Sequence, residues 1–577
     1  MTGIDYAIVA AYLVGLLALG AYLSKRASAN SEEYFLGGHK LPWWALGASG
    51  MSSNLDVAGT MTIVTLLYVY GLHGFFIEMR GGVVLPIAVF VAFMGKWHRR
   101  SAVMTTAEWM QLRFGTGAQG QAARMTAAVT YLVITIGMVV FFLGAAGKFL
   151  AVFLPFTPLQ CQVGMLLIAL VYTMMSGLYG VVWTDVIQSV LIGGAAIYVA
   201  VVAGLEYSPA LAEQWPGAQF NQFLPKLFDE RLATDGQDYR LFGLFLLFWV
   251  GKGLLEGLGG SGGSAYMAQR FYAARTPGDG LKIGMLWTLL FAFRWPMVLG
   301  FAILAVALGV GQDDPERALP EVLLSGFFPA GVRGIVLAAM LAAAMSTFDS
   351  TINAGASYLV KDIWQPLRKK AGQRELVVVG YLASAFIVGT GLMLSLQVES
   401  VVDVWVVIVI GLFPAFLVPF ALRWYWERFN GAGFSIGVGA GFAAALFLGS
   451  IGKSWDLNEV AMLGFITGIS LLASVVGTYC TSETPETVRK DFYRKIRPWG
   501  LWNPAWKIDD AKEHRGDIVR LITAVIWQVT TFLLPMAAVL HAWTAFTVIL
   551  ILWLVAGGRL LRDWELPVKP DSGGPAA

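Results

Sequence analysis

Apolar residues in this chain gather in long unbroken runs separated by short charged segments, and the two-residue alternation of membrane strands does not recur. Runs of that kind match helices crossing a hydrocarbon layer about 30 Å thick, so the pattern predicts an all-α polytopic membrane protein. Roughly 15 spans are expected, at 4–24, 43–71, 73–95, 123–152, 158–177, 181–205, 240–268, 282–309, 328–360, 376–396, 401–422, 432–452, 458–480, 518–540 and 543–559. Basic residues fall in alternate connections: Lys25, Arg26 and Lys40; Lys96, Arg99 and Arg100; Arg270, Arg275 and Lys282; Lys361, Arg368, Lys369, Lys370 and Arg374; Arg423 and Arg428; and segment 481–517. Positive loops stay cytoplasmic, which puts the N-terminus outside and the C-terminus inside an inner or plasma membrane. The intervening connections are poor in Lys and Arg, and two, Glu206–Asp238 and Asp313–Glu321, are acidic.

Three runs carry polar groups at membrane depth. Run 43–71 passes through Gly47, Gly50, Ser52, Ser53, Asn54, Asp56 and Gly59, and run 240–268 through Gly251, Gly253, Gly257, Gly259, Gly260 and 261–264, Ser-Gly-Gly-Ser. Glycines weaken a helix there, so both spans are expected to be broken. The odd offset between the two runs makes the blocks they begin enter the membrane from opposite sides, as an inverted repeat requires. Broken helices at matching positions of inverted halves point to the central site of a transporter; glycines that only allow close packing are the other reading. The third run, Leu337–Leu359, places Ser346, Asp349, Ser350 and Asn353 on one side of a helix at three- and four-residue steps, with Thr347 about 100° away. An ionisable group at that depth costs several kcal/mol unless protein, water or an ion meets it. Hydroxyls and carbonyls are hard ligands suited to a small hard cation. The bland alternative is that each hydroxyl bonds back to the carbonyl four residues earlier.

The pattern divides the chain into an extra helix and loop (1–42), a first five-helix repeat (43–205), an extracellular loop (206–239), a second, inverted repeat (240–430) and peripheral helices (431–577) that include cytoplasmic segment 481–517 and a tail. Composition agrees: 57% of the 577 residues are hydrophobic and 13% charged. The net charge of +3 comes with no basic segment apart from the spans, so the lipid bilayer, not nucleic acid, is the expected partner. Cys161 and Cys480 fall at span ends on opposite sides and are not expected to pair. His39, His73, His98, His514 and His541 sit at or beyond span ends without metal-ligand spacing, which argues against an intramembrane metalloenzyme. No phosphate-binding glycine loop is present to drive ATP-dependent pumping. The first span follows Asp5 rather than a basic start and is expected to be retained. A monomer or weak oligomer is expected.

Of the charges at depth, Lys252 and Glu256 are four apart and would pair on one helical face. Arg80 would pair with Glu78 or sit near the outer interface. Asp56 lies in the unwound segment and would bind a cationic or hydroxyl-bearing solute or cap a half-helix.

Several pieces resemble the sodium/solute symporters, a family of sodium-coupled sugar, sialic acid, proline, pantothenate and iodide carriers. They are residues 31–38, Ser-Glu-Glu-Tyr-Phe-Leu-Gly-Gly, before Pro42-Trp-Trp; 106–114, Thr-Ala-Glu-Trp-Met-Gln-Leu-Arg-Phe; 181–188, Val-Val-Trp-Thr-Asp-Val-Ile-Gln; Gln269-Arg270; and 342–350, Ala-Ala-Ala-Met-Ser-Thr-Phe-Asp-Ser. The resemblance implies a leucine-transporter-like core of two inverted five-helix repeats, with one helix before it and several after. It implies a sodium ion held by the carbonyls of Ser52, Leu55 and Ala343 and the hydroxyls of Ser346 and Thr347. Asp185 resembles a family carboxylate near the ion's exit or at a second sodium site, with Ser350 and Asp349 beside it; a cap or first-turn carboxylate at the cytoplasmic face is its alternative. The solute set implied is Asn54, Asp56, Gly59, Glu78, Ser264, Tyr266 and Arg294. Gly59 and Ser264 replace the amides of sugar-binding relatives, and Arg294 is a shifted analogue of their lysine. The expected function is sodium-coupled import of a small polar solute, sugar-like or amino-acid/carboxylate-like, by alternating access, with a transporter-shaped solute sensor as the alternative; no enzyme activity is expected.

Overall fold

The computed structural model describes residues 1–27, 41–81, 84–103, 105–213, 220, 222–234, 237–260, 265–276, 278–455, 457–507 and 511–564. Among these the chain is helical throughout, apart from a two-stranded ladder of Ala233–Thr234 with Gln237–Asp238 in a connecting segment. Ten helices are long and apolar enough to cross a membrane, or eleven when Val401–Leu412 and Pro414–Tyr425, bent 43° apart, count as one.

The count is lower than the expected 15 because several expected spans are broken. Run 43–71 forms two helices, Trp43–Ser52 and Val57–Tyr70. Run 240–268 forms Phe242–Leu258 and Ala265–Tyr272. Run 73–95 divides into short pieces, the last of them a π-helical turn, Phe90–Met94. No such fragment offers an uninterrupted stretch of spanning length.

Elsewhere a predicted break is missing. Runs 158–177 and 181–205 form one 49-residue helix, Pro158–Glu206, and helical geometry continues through the expected hairpin at Gly177–Val181. No proline lies between Pro158 and Pro209, so no missing backbone donor forces an interruption. At 1.5 Å per residue the run is ~73 Å long, more than twice the thickness of a hydrocarbon layer.

Burial orders the helices from centre to rim. The polar helix Val332–Tyr358, continued by a π-helical stretch, Leu359–Trp364, and a last turn to Leu367, is 94% buried over its apolar window. The figure is 17% for Gly3–Tyr22 and 22% for Trp543–Arg562. Val190, Leu205, Leu446 and Val555 point outward from peripheral faces, as lipid-facing side chains would. The central helix packs against Gly3–Ala27, Ala118–Ala151, Pro158–Glu206 and Gln373–Ser395. Trp43–Ser52 lies against Asp279–Phe291, and only glycine fits at position 50, where a Cβ would stand 2.1 Å from the Trp287 ring.

The last two helices, Ala511–Val539 and Trp543–Trp564, form a hairpin. The first of them is tied to segment 84–100. Lys96 Nζ lies 2.7 Å from Glu513 and 2.6 Å from Asp517, Arg100 lies 3.2 Å from Glu513, and Arg520 donates to the Ala92 carbonyl at 3.0 Å. Gln528 donates to the Val84 carbonyl. Lys96 and Arg100, read as loop charges, are therefore paired groups within the fold.

Candidate functional site

The first broken helix unwinds in a defined way. Ser53 N–H still donates to the Ser49 carbonyl at 2.9 Å, but Asn54 donates to Met51 at 3.0 Å and Leu55 to Ser52 at 3.3 Å, so the last turn tightens. Asp56 is extended, at φ −106° and ψ 164°, and accepts the Gly59 N–H at 2.5 Å as the cap of Val57–Tyr70. Asp56 thus has the capping role that was one of its two expected readings.

Four elements converge beside this interruption. From Pro158–Glu206, Asp185 accepts hydrogen bonds from Ser49 at 2.5 Å, from Ser53 at 3.3 Å and from Ser346 of the central helix. The Ser53 and Ser350 hydroxyls lie 2.8 Å apart. From Ala265–Tyr272, Arg270 Nη2 reaches the hydroxyls of Ser350 at 2.6 Å, Ser53 at 2.9 Å and Ser49 at 3.1 Å, and stands 3.6 Å from Asp185. Asp185, Arg270 and all four serines are fully buried. The charges balance within the cluster, and each hydroxyl bonds a charged partner, the stronger class of hydrogen bond.

Several expected ion ligands lie on the elements that meet here. Ser52, Leu55, Ala343, Ser346 and Thr347 are all buried, and the central helix contacts both halves of the first broken helix. The Ser52 hydroxyl has no hydrogen-bond partner among the described residues, and Thr347 bonds back to the Ala343 carbonyl at 3.2 Å. A donor set of hydroxyl, carbonyl and carboxylate oxygens with an orphaned hydroxyl suits sodium. Asp185 is not a helix cap. With no hairpin at Gly177–Val181 it falls well inside a continuous helix. Asp349 is fully buried, and neither carboxylate oxygen has a hydrogen-bond partner among the described residues; Ser350 joins the serine cluster.

Several residues of the expected solute set meet around Asn54 and Asp56. Tyr266 donates to the Asn54 side chain at 3.1 Å, and that amide donates to the Gly50 carbonyl at 2.9 Å. Arg294 Nη1 donates to the Asn54 carbonyl at 2.9 Å, its guanidinium lies over Phe291, and its Nε is buried without a partner among the described residues. A Cβ at Gly59 would stand 2.6 Å from Arg294 Nη2 and 3.2 Å from the Asp56 carboxylate, so the glycine makes room for this pair. Glu78 is buried with Oε2 unpartnered among the described residues. Ser264 lies outside the described residues.

Other charges are structural. Arg80 does not pair with Glu78; it bonds Glu459, the first residue of its helix, and, at 2.9 Å, the Tyr239 hydroxyl. Lys252 and Glu256 pair at 2.9 Å, with Lys252 also over the Phe413 ring. Sequence reasoning missed Ser49 and Arg270. Arg270 had been read as a cytoplasmic loop charge; the Gln269-Arg270 dipeptide directly after the second glycine run was the available signal.

The sodium:solute symporter family model matches residues 34–441. The chain is 27% identical over 491 residues to the sodium/mannose cotransporter SLC5A10 of Bos taurus, covering 77% of this chain and 78% of that protein. It is 26% identical over 488 residues to the sodium/glucose cotransporter of Vibrio parahaemolyticus, covering 77% and 85%. A Na+-coupled sialic acid symporter, solved in a substrate-bound outward-open state, superposes with a TM-score of 0.68 at 21% identity, covering 84% of this chain and 99% of that one.

Proposed function

The chain belongs to the sodium:solute symporter family, and from that premise we propose that it imports a small polar organic solute, sugar-like or amino-acid-like, together with sodium by alternating access. It is an integral membrane transporter, not an enzyme, and sodium is its coupling ion. In the proposed arrangement the carbonyls of Ser52, Leu55 and Ala343 and the hydroxyls of Ser346 and Thr347 take sodium. Asp185, Ser350 and Asp349 provide a second ion position or its exit. Asn54, Asp56, Gly59, Glu78, Ser264, Tyr266 and Arg294 face the solute. Two inverted repeats, 43–205 and 240–430, with the N-terminus outside and the C-terminus inside, rock about this centre.

One observation carries the reading: Ser49 from the broken helix and Ser346 from the central helix donate to the same buried carboxylate, Asp185. Oxygens from two elements that must move relative to each other thereby share one charged partner, and a cation bound between them would hold the elements together. Moving one sodium inward is worth about 2.3 kcal/mol per 100 mV, enough to concentrate a solute about 50-fold before any sodium gradient is added. The test is uptake by proteoliposomes of a panel of labelled sugars, amino acids and carboxylates, with and without an inward sodium gradient. At least one solute should accumulate only with the gradient; binding without accumulation would overturn the proposal.

A further inference from the structure

Arg294 occupies a position that solute recognition alone does not require. Its Nη1 bonds the carbonyl of Asn54, one of the two residues between Ser52 and Leu55. Its Nη2 side lies over Gly59 beside the carboxylate of Asp56, which caps the second half-helix. The guanidinium therefore spans the interruption, from the end of one half-helix to the start of the other. Its charge also suits the carbonyl end of Trp43–Ser52, where unpaired carbonyls gather.

Peptide planes in a tight turn are not independent, because each carbonyl direction follows from the φ and ψ of its neighbours. Pinning the Asn54 carbonyl onto Arg294 fixes the directions of the carbonyls on either side. We infer that Arg294 is a positioning residue for sodium: it touches no ion ligand side chain, but by holding the Asn54 carbonyl it keeps the 52–55 turn shaped to receive the cation. This inference rests on the sodium assignment to Ser52 and Leu55 made above.

The position of Gly59 supplies a test that leaves the arginine chemically intact. A methyl group there would stand 2.6 Å from Nη2 and must displace the guanidinium. The full-length protein, purified in lipid nanodiscs, is titrated with sodium chloride against choline chloride at constant ionic strength. Tryptophan emission and melting temperature are the readouts, with sodium the only probe. R294Q and G59A should both raise the half-saturating sodium concentration about tenfold, as expected for losing one hydrogen bond from a charged donor. R294K, which keeps the charge and one donor, should fall between them and wild type. G59A adds a better helix former within Val57–Tyr70, so it reports even if R294Q fails to fold. Unchanged or tighter sodium binding in folded G59A would overturn the inference. T347A separates the two levels: a shift in T347A without a shift in G59A rejects only the role of Arg294, whereas no shift in T347A rejects the sodium assignment itself.

Discussion

At the scale of single residues the site is a set of short oxygen contacts whose partners come from distant parts of the chain. Ser346 donates to Asp185, and Thr347 bonds back to Ala343. Replacing Thr347 with alanine should raise the sodium concentration needed for half-maximal uptake about tenfold while leaving expression unchanged; an unaltered sodium curve would remove Thr347 from the ion site. Glu78→Gln should weaken solute binding and leave sodium-dependent stabilisation in place, since Glu78 belongs to the proposed solute set and not to the proposed sodium set. The polar stripe 346–353 and the charges Asp56, Glu78 and Arg294 were legible in the sequence because ionisable groups in apolar runs are expensive and so stand out. Ser49 was not legible. A serine in a run of small residues has no signature, and its value comes from Asp185, 136 positions away. Arg270 was visible but misread, because it sits near the end of an eight-residue half-helix and loop counting takes such a charge for a flank.

At the scale of elements, breaks were easier to foresee than continuity. Glycine and small polar residues weaken helices, and both predicted interruptions are present around Ser53–Asp56 and after Leu258. The uninterrupted Pro158–Glu206 could not be foreseen, since glycines at Gly177 and Gly180 are compatible with a turn or a helix and packing decides. A second element-scale feature lies at the helix beginning at Val401. Glu316 accepts from Lys148 at 2.8 Å, from the Ser400 hydroxyl at 2.9 Å and from the Val402 amide at 3.1 Å. Burial works against its charge, but Lys148, the Val402 amide and Ser400 outweigh it and hold its pKa below the usual glutamate value. A carboxyl lowered on folding adds stability above its unfolded pKa and loses it as pH falls through its folded one. The Tm gap between wild type and E316Q should therefore be full near neutral pH and close only as pH falls below the ordinary glutamate range; a gap independent of pH would mean that the charge adds nothing.

At the scale of the whole molecule, burial forms a gradient around the helix with the costliest side chains. That order follows from the bilayer: polar groups are driven inward and branched apolar ones outward. Fold class and centre were thus readable from hydropathy and polarity. The docking of the last two helices was not, because nothing in residues 511–564 names a partner. Arg520 and Gln528 grip backbone carbonyls of segment 84–92, and Glu513 and Asp517 hold Lys96. Removing both carboxylates, E513Q with D517N, should lower the Tm by several degrees, whereas surface charges that make no contacts would leave it in place.

That grip also makes the end of the chain a lever. Segment 84–100 follows the first broken helix after two short helices, His73–Ile77 and Glu78–Arg80, so a displacement it undergoes during a transport cycle is handed to the hairpin at the rim. A fluorophore fixed to the outer face of Trp543–Trp564, far from ion and solute, would then brighten or dim with each turnover and give a signal that needs no knowledge of what is carried.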